Sequence, residues 1–218
     1  MTDPPDRPSL RAEQVQQTRA ALIASGRRLF GERGFAATSV DEIARDARVT
    51  TGALYHHFPN KTALFEAVFE QIHAELMAAS ARAAGVTDGA IPAAGELELF
   101  ARGFDAFLDA VLEPDVQQIL ITDAPAVLGL ARFTELDERY AATAIADALR
   151  AATAAGTMSV EDPETIARLL LGALVRGGML IAGSPRPAET RDAVARSIRA
   201  MLAGAARSSG DLGQNPSL

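Results

Sequence analysis

The sequence of 218 residues contains no cysteine and no tryptophan, and aromatic residues make up only 5% of it. The absence of cysteine excludes disulfide bonds, thiolate metal sites and a cysteine nucleophile. Although 48% of the residues are hydrophobic, they occur in short periodic segments, without the apolar run of roughly 18 residues that a membrane span requires. The polar, proline-rich start lacks the apolar segment of a signal peptide. We therefore expect a cytoplasmic protein with no membrane span and no membrane partner.

Sequence motifs of catalysis and metal binding are also absent. The chain has no glycine-rich phosphate loop, no nucleophile elbow and no zinc motif, which disfavours an enzyme. Two of its three histidines, His56 and His57, are adjacent, and successive helix residues point about 100° apart, which disfavours a shared metal ion. We expect no catalytic residue, no metal site and no cofactor.

Apolar residues recur with helical spacing along the chain, and no segment shows strand alternation. This pattern predicts an all-α fold of about nine helices. A glycine- and proline-rich linker is expected at 85–95, and one long helix at about 126–155. The expected domains are a disordered tail at 1–11, a helix-turn-helix domain at 12–61, a helical domain at 62–206 and a second disordered tail at 207–218.

The most informative stretch of the chain lies between residues 38 and 64. Apolar residues at i, i+3, i+4 and i+7 predict a short helix that begins near Thr38, which has capping-box spacing to Asp41. A tight turn at 47–49 separates it from a second short helix, for which Thr50 is the expected N-cap. Asn60 is the expected N-cap of the helix that follows, and Asp162, which precedes Pro163 and Glu164, is the expected N-cap of a later helix. Two short helices joined by a tight turn form a helix-turn-helix.

The spaced residues of this region resemble the TetR family of transcriptional regulators. The resemblance extends over about 18–73 and rests on Phe30-Gly-Glu-Arg-Gly-Phe, on the helix that starts near Thr38, and on Gly52-x-Leu54-Tyr55-x-His57-Phe58-x-x-Lys61. A three-helix DNA-binding domain followed by a helical domain is what the resemblance implies. So many spaced matches are far more specific than a bare helix-turn-helix pattern.

A recognition helix of this kind lies in the major groove, and phosphate contacts hold it in register. Thr51 and Ala53 are expected to face base edges, and Gly52 to permit close approach to the duplex. The resemblance implies phosphate contacts for several further residues, although Tyr55 could instead be half-buried core. Arg48 stands where the family usually has glycine, which predicts a left-handed residue whose guanidinium reaches a phosphate. The expected DNA-binding residues are Thr38, Arg48, Thr50, Thr51, Gly52, Ala53, Tyr55, His56, His57 and Lys61.

The distribution of charge agrees with a DNA-binding end. The whole chain has a net charge of −7, but residues 1–61 contain nine Lys and Arg against seven Asp and Glu, a net charge of +2. The remaining residues therefore carry −9. This asymmetry suits a protein that offers one end to DNA and keeps the other end away from it.

For the rest of the chain, the resemblance implies a dimerisation face in the last two helices and a ligand cavity. We expect a dimeric repressor that a small, largely apolar effector releases from a palindromic operator in double-stranded DNA. A constitutive or protein-partner-controlled helix-turn-helix protein is the alternative. Asp123 and Arg176 are charges within apolar sequence, and each could orient a ligand or form a salt bridge. The apolar stripes could equally be plain core. The expected ligand-binding residues are Phe104, Phe107, Leu108, Asp123, Phe133, Tyr140, Arg176 and Met179.

Overall fold

The computed structural model describes residues 10–85, 96–156 and 158–205. Within these ranges every regular element is a helix, and there are nine of them, numbered α1 to α9. The first four are α1 (Leu10–Ala37), α2 (Val40–Asp46), α3 (Thr51–His57) and α4 (Lys61–Ala83). The other five are α5 (Glu96–Ala110), α6 (114–128), α7 (130–154), α8 (Pro163–Ala182) and α9 (Pro187–Ala205). The predicted all-α fold is confirmed.

Several sequence expectations concern residues whose structure is not described. The expected linker at 85–95 lies outside the described residues except for Gly85. The C-terminal tail at 207–218 lies wholly outside them. Of the expected N-terminal tail, only Leu10 and Arg11 are described, and they form the start of α1 rather than a disordered segment.

Side-chain caps define where several helices begin, because the first backbone N–H groups of a helix have no partner within it. Thr50, Asn60 and Asp162 cap α3, α4 and α8 as expected, each accepting a hydrogen bond from a backbone N–H three residues later. The expected cap of α2 is wrong by one residue. Ser39, not Thr38, is the N-cap, and it forms a complete capping box with Glu42.

Helices α6 and α7 are not regular over their whole length. Helix α6 consists of Pro114–Val116, a π-helical segment Gln117–Asp123 and Ala124–Leu128. Helix α7 consists of Leu130–Asp137, a π-helical segment Glu138–Ala142 and Thr143–Ala154. The expected continuous helix from about 126 is wrong at its start, because Gly129 has a φ of 76° and separates α6 from α7. Residues other than glycine rarely adopt that backbone conformation.

One hydrophobic core runs through the described part of the chain. In the N-terminal module, which consists of α1 to α3 and the start of α4, the rings of Phe30, Phe35 and Phe65 pack at centroid distances of 5.3 to 5.7 Å. These contacts join α1 to α4. Helix α4 then continues into the larger domain, where it packs along α5, while α8 packs against α7 and α9. Because α4 belongs to both parts, it connects them directly.

A second connection joins α1 to the start of α6. A Cβ atom at Gly31 would lie 2.5 Å from the Cβ atom of Asp115, a distance that real side chains do not reach. The absence of a side chain therefore permits the two helices to touch. The guanidinium of Arg27, one turn earlier on α1, donates a hydrogen bond of 2.8 Å to the Asp115 carboxylate. The larger domain thus holds α1 directly as well as through α4.

Candidate nucleic-acid interface and ligand cavity

Helices α2 and α3 form the helix-turn-helix predicted from the sequence. Arg48 occupies the turn with a φ of 57°, the one positive φ among the described non-glycine residues. The turn closes when the N–H of Val49 donates to the carbonyl of Ala44 at 2.9 Å. The left-handed conformation costs an L-residue about 1 to 2 kcal/mol. The Arg48 side chain is exposed.

The N-terminal turn of α3 presents little bulk at its surface. The Thr50 hydroxyl accepts the N–H of Ala53 at 3.1 Å, so its own proton is still available to a phosphate oxygen. Gly52 is exposed, and an added Cβ would meet only the Thr50 hydroxyl oxygen, at 3.9 Å. Packing within the described protein therefore gives no reason for glycine at this position. Thr51 is less free than expected, because its hydroxyl donates to Asp41 on α2 at 2.8 Å.

The remaining residues of α3 differ in how far they reach solvent. Tyr55 is 51% exposed and is not part of the described hydrophobic core. His56 is also exposed, whereas Ala53 and His57 are half-buried. Desolvation, followed by the nearby charges of His56 and Arg19, lowers the pKa of His57. A lower pKa disfavours the cationic form of this imidazole.

Two expected phosphate-binding residues have internal roles. Thr38 is 1% exposed, and its hydroxyl hydrogen-bonds to the carbonyls of Leu29 and Gly34, so the expectation that its side chain holds a phosphate is wrong for this conformation. The Lys61 ammonium donates to the carbonyls of Phe35 and Thr38 at 2.8 and 2.9 Å and lies 4.1 Å from the ring centroid of Phe35. It neutralises the C-terminal end of α1, where carbonyls lack helical partners. Only one of its three protons is left for DNA.

The module's arginines fall into two groups. Arg27, Arg28 and Arg33 form ion pairs with carboxylates. Within the described ranges Arg19, Arg45 and Arg48 have no carboxylate within 4.0 Å, and all three are exposed. Unpaired arginines are the ones that can neutralise phosphates. Arg19, which lies over the Phe58 ring at 5.1 Å, and Arg45 were missed from the sequence, because only the pattern of ion pairs distinguishes them from the others.

An apolar cavity of about 380 Å³ lies in the larger domain between α4, α5, α7 and α8. Phe104 and Phe107, both expected to bind ligand, form part of its wall. So do residues that the sequence did not single out, among them Phe100, Met77 and the buried pair His73 and Asp137. The volume falls within the range of small-molecule sites, roughly 300 to 1,000 Å³.

The other expected ligand residues lie elsewhere. Leu108 is fully buried core. Phe133, Arg176 and Met179 line a separate groove of about 240 Å³ between α7 and α8, which Asp137 also borders. Tyr140 does not line the cavity, although its ring lies 5.8 Å from that of His73. The helical stripes were visible in the sequence, but the packing of α5, α7 and α8 decided which members face a cavity.

Asp123 does not face the cavity, and within the described residues it forms no salt bridge, so both sequence interpretations of this residue are wrong. Its carboxylate accepts the backbone N–H of Phe35 at 2.7 Å. That N–H follows Gly34, where the φ of 79° takes α1 out of helical geometry. Asp123 therefore attaches the π-helical part of α6 to the end of α1, immediately before α2. Arg176 is exposed and likewise has no carboxylate partner within the described part.

The buried pair His73 and Asp137 joins α4 to α7 at the cavity wall. His73 is 3% and Asp137 8% exposed, and the Nε2 atom lies 3.5 Å from the Oδ1 atom. Burial lowers the pKa of His73 to about 4 and, with a smaller contribution from Glu138, raises the pKa of Asp137 to about 7. Near neutral pH the imidazole is therefore uncharged. The other ring nitrogen, Nδ1, is buried and has no hydrogen-bond partner among the described residues.

Helices α8 and α9 leave a partly apolar surface uncovered. Leu169 is 65% exposed, Leu180 48% and Met201 57%, and nothing lies within 4 Å of a Cβ added at Gly172. Among the described helices, α8 alone is long and apolar enough to cross a membrane, with a mean hydropathy of 1.6, although no such apolar run was expected. Core helices satisfy the same criterion, and α8 packs against α7 and α9.

This arrangement defines a helix-turn-helix regulator, and two family models match the chain. One, described as bacterial regulatory proteins of the tetR family, matches residues 22–68; the other, described as the C-terminal domain of tetracyclin repressor-like proteins, matches residues 97–205. The chain therefore belongs to the TetR family, whose members are helix-turn-helix transcriptional regulators and not enzymes. The family expected from the sequence is confirmed.

Individual relatives agree with this assignment. The TetC protein of transposon Tn10 from Escherichia coli is 31% identical over 128 residues, 59% of this chain and 61% of TetC, so the match spans less than two thirds of that relative. The structure of a TetR-family regulator from Pectobacterium atrosepticum is 30% identical with a TM-score of 0.77, covering 92% of this chain and 98% of that one. RolR, solved with its ligand resorcinol, shares the fold at 21% identity and a TM-score of 0.68, covering 94% and 100%.

Proposed function

We propose that the chain is a dimeric, ligand-responsive repressor that binds a palindromic operator through α3 and leaves it when a small effector enters the cavity. It would act in the cytoplasm, where its operator is. The observation that carries the proposal is the outward surface of α3, with an open Gly52, an exposed Tyr55 and unpaired arginines beside it. This surface combines close approach with phosphate neutralisation, and it has no evident role in packing.

Phosphate and base contacts are assigned to different residues of this surface. Arg48, Tyr55 and the Thr50 hydroxyl are proposed to hold phosphates, together with Arg19 and Arg45. Ala53 and His56 are proposed to face base edges, where a methyl group suits the thymine methyl and an imidazole can donate or accept. Thr51 can join them only if its hydrogen bond to Asp41 breaks.

The uncovered face of α8 and α9 is proposed to be the dimer interface. Exposed large aliphatic side chains beside small residues permit two helices of one copy to pack closely against those of a second. A two-fold dimer presents its two α3 helices to successive major grooves, so the half-sites of the operator should be about 34 to 36 Å apart or a multiple of that distance.

The connection between the cavity and the DNA surface is proposed to run through α4. Lys61 at the start of α4 holds the end of α1, and His73 lies on the cavity wall twelve residues later, about 18 Å along the helix. An effector that shifts α4 would therefore move the module. Such coupling typically amounts to about 1 to 3 kcal/mol, and operator DNA must weaken effector binding by the same factor. The resorcinol complex of RolR supports the view that this fold can hold a small ligand.

The test is DNA binding at several salt concentrations, with the DNA upstream of the gene that encodes the chain. Arg48→Ala should weaken binding and reduce the log–log salt slope by about two, one for each subunit of the proposed dimer. Arg102→Ala, which removes another exposed arginine, from α5, is the control and should change neither quantity. Equal effects of the two substitutions, or no binding by the parent protein, would show that this surface does not bind DNA and would favour a partner-controlled protein.

A further inference from the structure

The cavity has a polarity that limits what it can hold. Its walls are mostly aliphatic and aromatic, and four of its lining side chains are polar or charged: His73, Ser80, Asp137 and Asp147. Neither lysine nor arginine is among the described residues that line it. Asp147 is exposed and pairs with Arg150, so it belongs to the rim. Asp137 is therefore the buried acidic group of the interior.

Asp137 and His73 together present hydrogen-bond acceptors. Within the described residues, the contact to His73 Nε2 is the only polar contact of the Asp137 carboxyl group. The 3.5 Å contact between Nε2 and the carboxyl group favours the tautomer that carries its proton on Nε2, which leaves Nδ1 as a lone-pair acceptor. Nδ1 is buried without a partner. A buried acceptor without a donor is unfavourable, so the pair favours a ligand that brings N–H or O–H groups.

The charges around Asp137 favour a cation over an anion. Glu138 is adjacent in sequence, while Arg168 and Arg176 border the groove on the far side of Asp137 without an ion pair to it. A ligand carboxylate would meet the Asp137 carboxyl group with no lining cation to neutralise it. A protonated amine would instead form a charge-assisted hydrogen bond. Phe100, Phe104 and Phe107, which also line the cavity, supply an apolar wall for the rest of such a ligand.

We propose that the effector is a lipophilic amine, whose ammonium group binds Asp137 at the His73 end of the cavity while its apolar body packs against the phenylalanines of α5. This inference rests on the proposed function, since it names the chemical class of the effector. It also assigns Asp137 as the residue that selects the charge of the ligand, and His73 as the residue that orients the carboxylate.

Three ligands with one apolar body test the inference on the full-length protein by calorimetry: 4-phenylbutylamine, 4-phenylbutanol and 4-phenylbutanoate. The amine should bind about tenfold more tightly than the alcohol, and the carboxylate most weakly. Asp137→Asn, which preserves the shape of the side chain, should abolish the preference for the amine while leaving the alcohol within about twofold. Asp147→Asn is the matched control at the rim and should leave the preference intact.

The inference is overturned if the amine does not bind, or if it binds no more tightly than the alcohol. It is also overturned if Asp137→Asn leaves the preference for the amine unchanged. Circular dichroism of each variant establishes whether it is folded. If a variant is unfolded, the preference of the parent protein among the three ligands still decides the question. Release of operator DNA is measured separately. An amine that binds without releasing DNA contradicts the proposed function alone, whereas release by the alcohol or carboxylate in preference to the amine contradicts the inference alone.

Discussion

Gly52 lies where a methyl group would not disturb the protein but would meet a partner that approaches α3. Glycine disfavours a helix by up to about 1 kcal/mol relative to alanine. An added Cβ at this position has 3.9 Å of clearance from the nearest atom in the described structure. Stability alone would thus favour alanine. The presence of glycine is explained if the backbone of α3 must come close to a DNA duplex.

Gly52→Ala should therefore raise the thermal stability of the free protein slightly and weaken operator binding. The stability change is expected to be below about 1 kcal/mol, because the position lies in the first turn of a short helix. Thermal unfolding and DNA titration of the same preparation separate the two effects. Operator affinity that equals the parent's would place the closest approach elsewhere on the module.

Asp137 gives the stability of the protein a dependence on pH with a definite sign. Burial raises its pKa from an ordinary 3.8 to about 7, so the native state binds its proton more tightly than the unfolded state does. The resulting stabilisation is fully present below pH 3.8 and is lost as the pH rises through about 7. His73 contributes in the opposite sense, because a pKa lowered to about 4 stabilises the native state above pH 6.5 and less as the pH falls.

Comparison of Asp137→Asn with the parent protein isolates the aspartate, since His73 is present in both. Between pH 4 and pH 8 the variant should gain stability relative to the parent, by on the order of a few kcal/mol at most. Melting temperatures measured across this range test the prediction. Parallel curves for the two proteins would mean that the carboxyl group is hydrated in solution.

Helix α6 is an element whose role depends on its contacts with α1. Its first turn touches Gly31, and its π-helical segment supplies Asp123, whose carboxylate accepts the N–H of Phe35. A π-helical segment changes the rotation of the side chains that follow it. The same carboxylate on a regular helix would point elsewhere. The element thus fixes the point at which α1 ends and the helix-turn-helix begins.

Asp123→Ala should weaken the attachment of α6 to the end of α1. It leaves the partly buried N–H of Phe35 without an acceptor, at a cost of about 1 to 3 kcal/mol. Asp123→Asn is the matched control, since its amide oxygen can still accept. Hydrogen exchange at the Phe35 amide is the local measurement: protection should be lost in the alanine variant and largely kept in the asparagine variant. Equal protection in both would mean that the contact does not hold the module.

At the scale of the whole molecule, the charge is divided as the proposed function requires. The module at 1–61 has a charge of +2 and the remainder −9. A strongly negative larger domain is repelled by DNA, so the module alone approaches it. In the proposed dimer the rest of the molecule must hold two modules at a fixed spacing, which makes the oligomeric state the decisive property at this scale.

Leu169→Glu should convert the dimer to a monomer, because it introduces a charge into the proposed interface on α8. Leu130→Glu is the matched control: Leu130 is 77% exposed at the start of α7, away from that face. Light scattering at micromolar concentration measures the mass of each variant. A monomeric parent protein, or equal masses for both variants and the parent, would argue against an interface on α8 and α9.

The sequence alone determined the helices, the helix-turn-helix, three of the caps and the family, because periodicity and capping depend on residues within about one turn of each other. The cap of α2 was predicted one residue too early, at Thr38, although Ser39 and Glu42 have the spacing of a capping box; Thr38 is instead buried against α1. The tertiary structure decided the rest. Asp123 contacts Phe35, which lies 88 residues earlier in the chain, and His73 contacts Asp137 on a different helix. Such contacts depend on how the helices pack and rotate against each other, which no local pattern of residues encodes.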